Sequence, residues 1–339
     1  MIEAEFRPEN NSVRPWFHMP LMNFGPGRRE PIRGLTSERV LMGPELGIKD
    51  GVAVHNFAVG FYNAAGGFTI GQVWQTASPD LSKSQFPQGA MAFKILFSEA
   101  TANDFQGADI LAGAPQWTIA TTTGLKQVRL LQMDVAPADA RSPTGWVFGT
   151  FAYDTSANDP SAWRRLRPVG LSWGNDFGFA PADQQAGRRL TETTISDQAP
   201  AYAANHLGWA GRANGPVDNP NSGCLSCHGT SQFPVSAPIA FDYHNNTCDT
   251  DARKMQWFRN FRGNQAFGPL DRPTCALVNG SPAPVPLDFS LQMQVAVQSV
   301  LQFHDINPCA PAAPPAPGPM VAPTPPLAGP AADAPRVER

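Results

Sequence analysis

Cys224-Leu225-Ser226-Cys227-His228 is the stretch of this chain whose residue types and spacing carry the most specific chemistry. Two thiols separated by two residues can bond the two vinyl groups on one edge of a porphyrin. The histidine that follows is then placed under the iron as the proximal ligand. The spacing predicts one covalent haem c, anchored by Cys224 and Cys227 and ligated by His228. With 5 Cys and 6 His in 339 residues, chance produces such a run roughly once in a thousand chains. A zinc site is the rival reading. It wants a second ligand pair at similar spacing, which the sequence lacks.

The opposite axial position decides what such a haem does. Two strong protein ligands make an electron carrier, and an open face makes a site for small molecules. Met255 and Met293 are the candidate distal ligands, and each is equally well placed to be a core residue on an apolar stripe. His244 and His304 follow aromatic residues and are lesser candidates. His18, His55 and His206 lie far upstream.

Composition sets the surroundings. Hydrophobic residues make up 42 %, charged residues 16 % and the net charge is −3, so nothing favours nucleic acid as a partner. Lysine occurs only at Lys49, Lys83, Lys94, Lys126 and Lys254. The 30 Gly and 35 Pro favour strands, turns and coil over long helices. No apolar run is long enough for a transmembrane segment. The start, Met1-Ile2-Glu3-Ala4-Glu5, does not read as a secretory signal. Haem c is attached outside the cytoplasm, so a periplasmic or otherwise extracytoplasmic location is expected all the same. An oxidising compartment permits a disulfide, and Cys248 with Cys275 is the preferred pair, leaving Cys309 over.

These residues need a scaffold. The pattern predicts an α+β fold in four parts. Residues 1–49 form an extended lead-in. Residues 50–200 form an antiparallel β domain. Residues 201–306 form a small, mainly α, haem c-binding region. Residues 307–339 form a disordered Pro/Ala-rich tail, a partner-binding or spacer element. Strands are expected over 52–62, 68–75, 90–97, 117–122, 126–135 and 145–153, separated by turns such as Ala65-Gly66-Gly67 and Pro87-Gln88-Gly89. The strand at Gln127–Val135 alternates, except that Leu130 and Leu131 are adjacent. Residues 155–222 are turn-rich, with Trp173 and Trp209 as aromatic anchors. Helices are expected over 251–262, with Met255, Phe258 and Phe261 on one face, and over 288–304, capped by Asp288.

The Cys224–His228 motif resembles that of monohaem c-type cytochromes of Gram-negative bacteria, and the likeness extends back through Gly208-Trp209-Ala210-Gly211-Arg212. A second likeness runs through Phe86-Pro87-Gln88-Gly89-Ala90-Met91-Ala92-Phe93-Lys94 and Gly145-Trp146-Val147-Phe148-Gly149. These stretches are similar to the β-sheet family of cytochromes c-prime-beta and the lysine-crosslinked, hydroxylamine-oxidising cytochromes. That resemblance implies a sheet covering the haem, an open distal face near Phe93 or Phe148, and Lys94 at the haem edge. The chain departs from that family in its length and in the segment of over a hundred residues after His228. The first resemblance implies electron transfer with redox partner proteins. The second implies a haem oxidoreductase or gas-binding protein acting on a small nitrogen or oxygen species.

Overall fold

The computed structural model describes residues 2–3, 17–18 and 35–306, apart from 77, 122–123, 243–247, 272–273 and 280–282. Most of the 1–34 lead-in, His244, Cys309 and the Pro/Ala-rich tail therefore lie outside the described residues. In chain order the strands are β1 (Ile2–Glu3), β2 (Phe17–His18), β3 (Leu35–Ser37), β4 (Leu41–Met42), β5 (Ala53–Val54) and β6 (Asn56–Tyr62). They continue with β7 (Met91–Ser98), β8 (Gln116–Thr121), β9 (Gly124–Pro137), β10 (Phe148–Tyr153), β11 (Leu166–Ser172) and β12 (Thr193–Ile195). Ten of these form one antiparallel sheet in the order β1-β2-β6-β7-β9-β10-β11-β12, with β3 also on β6 and β8 also on β9. The helices are α1 (Ala64–Val73), α2 (Pro181–Gln185), α3 (Ala201–Ala204), α4 (Cys224–His228), α5 (Asp251–Lys254) and α6 (Leu291–Ile306). The fold is α+β, as expected, with strand dominating the first two thirds.

Five of the six expected strands form. The exception is 68–75, rich in strand-favouring types, which lies mostly in α1. Asn63 decides this. Its Oδ1 accepts from Gly66 N at 3.0 Å, capping the helix, and from Met91 N at 3.0 Å at the start of β7. Tertiary packing does the rest: Ile70 and Val73 are buried against Tyr62, Leu287 and Met293. The expected turn Ala65-Gly66-Gly67 is the helix's first turn, and a Cβ at Gly66 would press on the Tyr62 ring at 3.1 Å.

The adjacent leucines mark a β-bulge. Leu96 pairs with Gln132 and Phe97 with Leu130, so Leu131 is the extra residue and both leucines are buried. A second bulge lets Pro168 sit opposite Phe151 in β11, where a missing N–H is tolerated. That proline and Gly170 hid β11 from a reading by pattern.

Between 200 and α6 the chain holds short helices and two small antiparallel pairs, Gln232–Phe233 with Val285–Pro286 and Leu270–Asp271 with Ala276–Leu277. The expected helix over 251–262 is shorter: α5 passes into a 3-10 turn, Met255–Phe258, and ends at extended Arg259. Helix α6 begins at Leu291, not 288, because Ser290 Oγ takes the capping bond from Met293 N at 3.2 Å. Asp288, expected to cap it, is used elsewhere.

Cys248 and Cys275 form the expected disulfide, with Cα atoms 5.7 Å apart and a sequence separation of 27. It lies in an apolar cluster with Trp257, Phe258 and Phe267. Closing a loop of that length stabilises by about 3–4 kcal/mol in the chain-entropy account. The Cys248→Ala/Cys275→Ala variant is therefore expected to lose roughly 3 kcal/mol in urea unfolding relative to the oxidised protein.

Candidate functional site

Helix α4 is a single turn, and its placement follows from what surrounds it. Gly223 N donates to Ser226 Oγ at 2.8 Å, and Cys224 N donates to Ala213 O at 3.1 Å. Leu225 is 1 % exposed and packs with Ala90, Trp146, Phe148 and Phe289. Leu225 and Ser226 are buried, whereas Cys224, Cys227 and His228 each keep part of their surface exposed. Both thiols are free.

His228 Nδ1 lies 2.8 Å from the carbonyl oxygen of Phe289. A carbonyl only accepts, so Nδ1 carries the proton and Nε2 keeps its lone pair. Burial, first, pushes the His228 pKa down to about 4, so the ring is neutral at pH 7 and able to ligate a metal. The Phe148 ring sits 4.6 Å from the imidazole and limits its tilt.

The Phe289 carbonyl is itself held by a strained corner. Asp288 and Phe289 have φ of 46° and 61°, in the left-handed region. Asp288 is 6 % exposed. Its Oδ1 accepts from Trp146 Nε1 at 2.8 Å and its Oδ2 from Phe86 N at 2.6 Å. Burial raises its pKa. The corner rests against Gly263, where any Cβ would collide with the Asp288 carboxylate. The motif histidine is thus oriented by β10 and by the two connections that lead into β7 and α6.

Burial raises the Cys224 pKa well above its usual value and that of Cys227 to about 12. Both therefore stay as thiols at neutral pH. Each of the two keeps some solvent-accessible surface.

The sheet contributes charge that acts on the motif. Lys94 in β7 pairs across the ladder with Asp134 in β9, and its Nζ is 3.8 Å from Asp134 and 3.9 Å from Glu38. Burial alone would lower the Lys94 pKa; Glu38, Asp218 and Asp134 outweigh that and raise it. Lys94 in turn acts on Cys227. Gln132 ties the sheet to the loop before α4: its Oε1 accepts from Val217 N at 3.1 Å, and a Cβ at Gly215 would strike its amide nitrogen.

The two candidate methionines are in apolar clusters. Met255 is 8 % exposed among Trp209, Phe241 and Phe258, and its Sδ accepts from Gly178 N at 3.2 Å. Met293 is fully buried with Tyr62, Leu287 and Val297. His55 pairs with Glu99 at the surface, at 2.5 Å. His206 is half-buried in the loop after α3, and burial lowers its pKa. His18 lies in β2 and His304 in α6.

Behind the motif, Arg212 is 2 % exposed. It donates to the carbonyls of Asn175, Trp209, Asp176 and Phe179 at 2.8–2.9 Å and stacks 4.3 Å over Phe258. Trp209 is an anchor, stacked 4.7 Å from Phe258. Among the described residues no group of three His, Cys, Asp or Glu is arranged to hold a metal ion.

Pattern reasoning missed Asp288 as a clamp, and it missed Glu38, Asp134, Asp218 and the Phe289 carbonyl. No local signal marks them, since each acts across a long sequence separation. No helix among the described residues is long and apolar enough to cross a membrane. Comparison of the chain with protein-family models, curated proteins and solved structures finds no match.

Proposed function

We propose that this chain is an exported c-type cytochrome that carries one covalent haem and transfers electrons to and from redox partner proteins. The observation that carries the reading is the 2.8 Å bond from His228 Nδ1 to the Phe289 carbonyl, which leaves Nε2 unprotonated and aimed by the fold. The donor set fits the cofactor. Cys224 and Cys227 are free thiols on one helical turn, and His228 closes that turn. When bound, a haem supplies one-electron chemistry at iron. The chain's own residues do the rest. Cys224 and Cys227 anchor the macrocycle, His228 holds the iron, Phe289 strengthens the imidazole as a donor, and Phe148 fixes its plane. The Cys248–Cys275 disulfide supports a periplasmic or other oxidising location.

A second reading has its own observation. Met255 already spends its thioether on Gly178 N–H, and Met293 is buried in a different cluster. That arrangement favours an open distal face, hence a haem oxidoreductase or gas-binding protein for a small nitrogen or oxygen species.

Optical spectra of matured protein, with and without carbon monoxide, separate the two. Low-spin bands unmoved by carbon monoxide are the expected result for an electron carrier. A high-spin spectrum that shifts with carbon monoxide transfers the assignment to the second reading, and the absence of covalent haem overturns both.

A further inference from the structure

An open cleft of about 880 Å³ is lined by none of Cys224, Cys227 and His228. Its volume is that of a small-molecule site. Four separate segments wall it, drawn from residues 44–47, 107–110, 154–156 and 197–206. The walls are tied to one another. Gln106 N donates to Gly47 O at 2.8 Å, which joins the first two segments. Tyr202 OH donates to Tyr153 O at 2.6 Å, which joins the last two. A concavity held in this way is formed before a ligand arrives, so binding spends little on ordering it.

The lining selects a type of ligand. Leu46, Ile110, Pro200 and Tyr202 supply apolar wall. The carboxylates are Glu45, Asp154 and Asp197, and no Lys or Arg lines the cleft. Glu45 is already engaged, because its two oxygens accept from Arg39 at 2.5 and 2.7 Å. Asp154 uses Oδ1 for Ser156 N and Oγ, at 2.9 and 2.6 Å, and carries a second oxygen besides. Asp197 is exposed. His206 is an independent signal. It lines the same cleft, and its Nε2 is buried without a hydrogen-bond partner among the described residues. A buried polar atom left unpaired is costly, and a ligand that supplies the missing bond recovers that cost. Burial keeps the ring neutral at pH 7, so it does not repel a cation.

We propose that this cleft binds a small aliphatic amine, its ammonium held by Asp154, Asp197 and His206 Nε2 and its carbon chain laid against Leu46, Ile110 and Pro200. The match is chemical. An ammonium has three donors and no acceptor, whereas a carboxylate and an unprotonated imidazole nitrogen only accept. A phosphate or carboxylate ligand would instead meet Asp154 and Asp197 with no cation in the lining to balance it. The site does not depend on the haem reading, since no residue of the motif takes part in it.

The test is a calorimetric titration of the full chain with putrescine, an unbranched aliphatic diamine. Salt at about 0.15 M screens long-range attraction to an acidic protein. Saturable binding at one site per chain is expected, together with a shift of the His206 ring-nitrogen resonance, assigned by its loss in His206→Gln. Asp197→Asn, an exposed change that leaves the core untouched, should weaken binding about fivefold. Asp80→Asn, at the surface outside the cleft, should leave it unchanged. Butanediol, with hydroxyls in place of the ammonium groups, should not bind. No saturable binding overturns the amine site. So do equal binding of the diol, full affinity in Asp197→Asn, or an equal loss in Asp80→Asn. Neither readout involves haem, so these outcomes are separate from those that decide the reading of the motif.

Discussion

The Cys224→Ser/Cys227→Ser variant, expressed in a periplasm that matures haem c, is expected to carry no haem that survives denaturation. Each single variant should retain at most one thioether. The reasoning is geometric: the two thiols lie one turn apart on α4. Neither is in a disulfide, and burial keeps both protonated. Mass spectrometry of the denatured chain reads the outcome directly. A haem adduct retained in the double variant would contradict the assignment. Cys248→Ala with Cys275→Ala serves as a control. It should lower stability but leave the adduct, because that disulfide belongs to the aromatic cluster around Trp257 and not to the one around Leu225. His228→Ala is expected to keep the thioethers and lose the proximal ligand, visible as a changed spin state.

Asp288→Ala should destabilise the protein by roughly 3–5 kcal/mol, more than any surface change, because it strands two buried donors at once. Trp146 Nε1 and Phe86 N both lose their acceptor. The same loss frees the left-handed corner at Asp288 and Phe289, so the carbonyl that orients His228 is no longer held. Gly263→Ala tests the mechanism from the other side. It keeps the carboxylate but forces it off Gly263, which should cost about 1–3 kcal/mol by overpacking. Urea unfolding measures both. If Asp288→Ala unfolds at the denaturant concentration of the unmutated protein, the clamp has no role. A midpoint potential unchanged in both variants would show that the Phe289 bond does not tune the iron.

How much of this could be read without coordinates depends on the range of the interaction. The strands over 52–62, 90–97 and 126–135 were legible because alternation and flanking turns act locally. Helix α1 was not, because strand-favouring residue types over 68–75 were overruled by a cap from Asn63 and by packing against α6, more than two hundred residues away. The single irregularity in the 127–135 pattern, Leu130-Leu131, carried real information: it is the bulge that keeps both leucines buried. Asp288 was legible as polar and near a helix start, but Ser290 makes the cap and Asp288 serves Trp146, 142 residues distant in sequence.

The sequence by itself determined the motif and its ligand types, the dominance of antiparallel strand, and the preferred Cys248–Cys275 pair. These follow from spacing, periodicity and loop length, which are properties of neighbouring residues. Only the tertiary structure decided which atoms surround the motif. The Phe289 carbonyl on His228, the Asp288 clamp, and the gathering of Glu38, Asp134 and Asp218 on Lys94 join segments that are remote in the chain. Burial gives those contacts their force. Where water is excluded, a carbonyl can fix a tautomer and a glycine can be obligatory. None of that energy is present until the sheet, the loop before α4 and the turn before α6 close on one another.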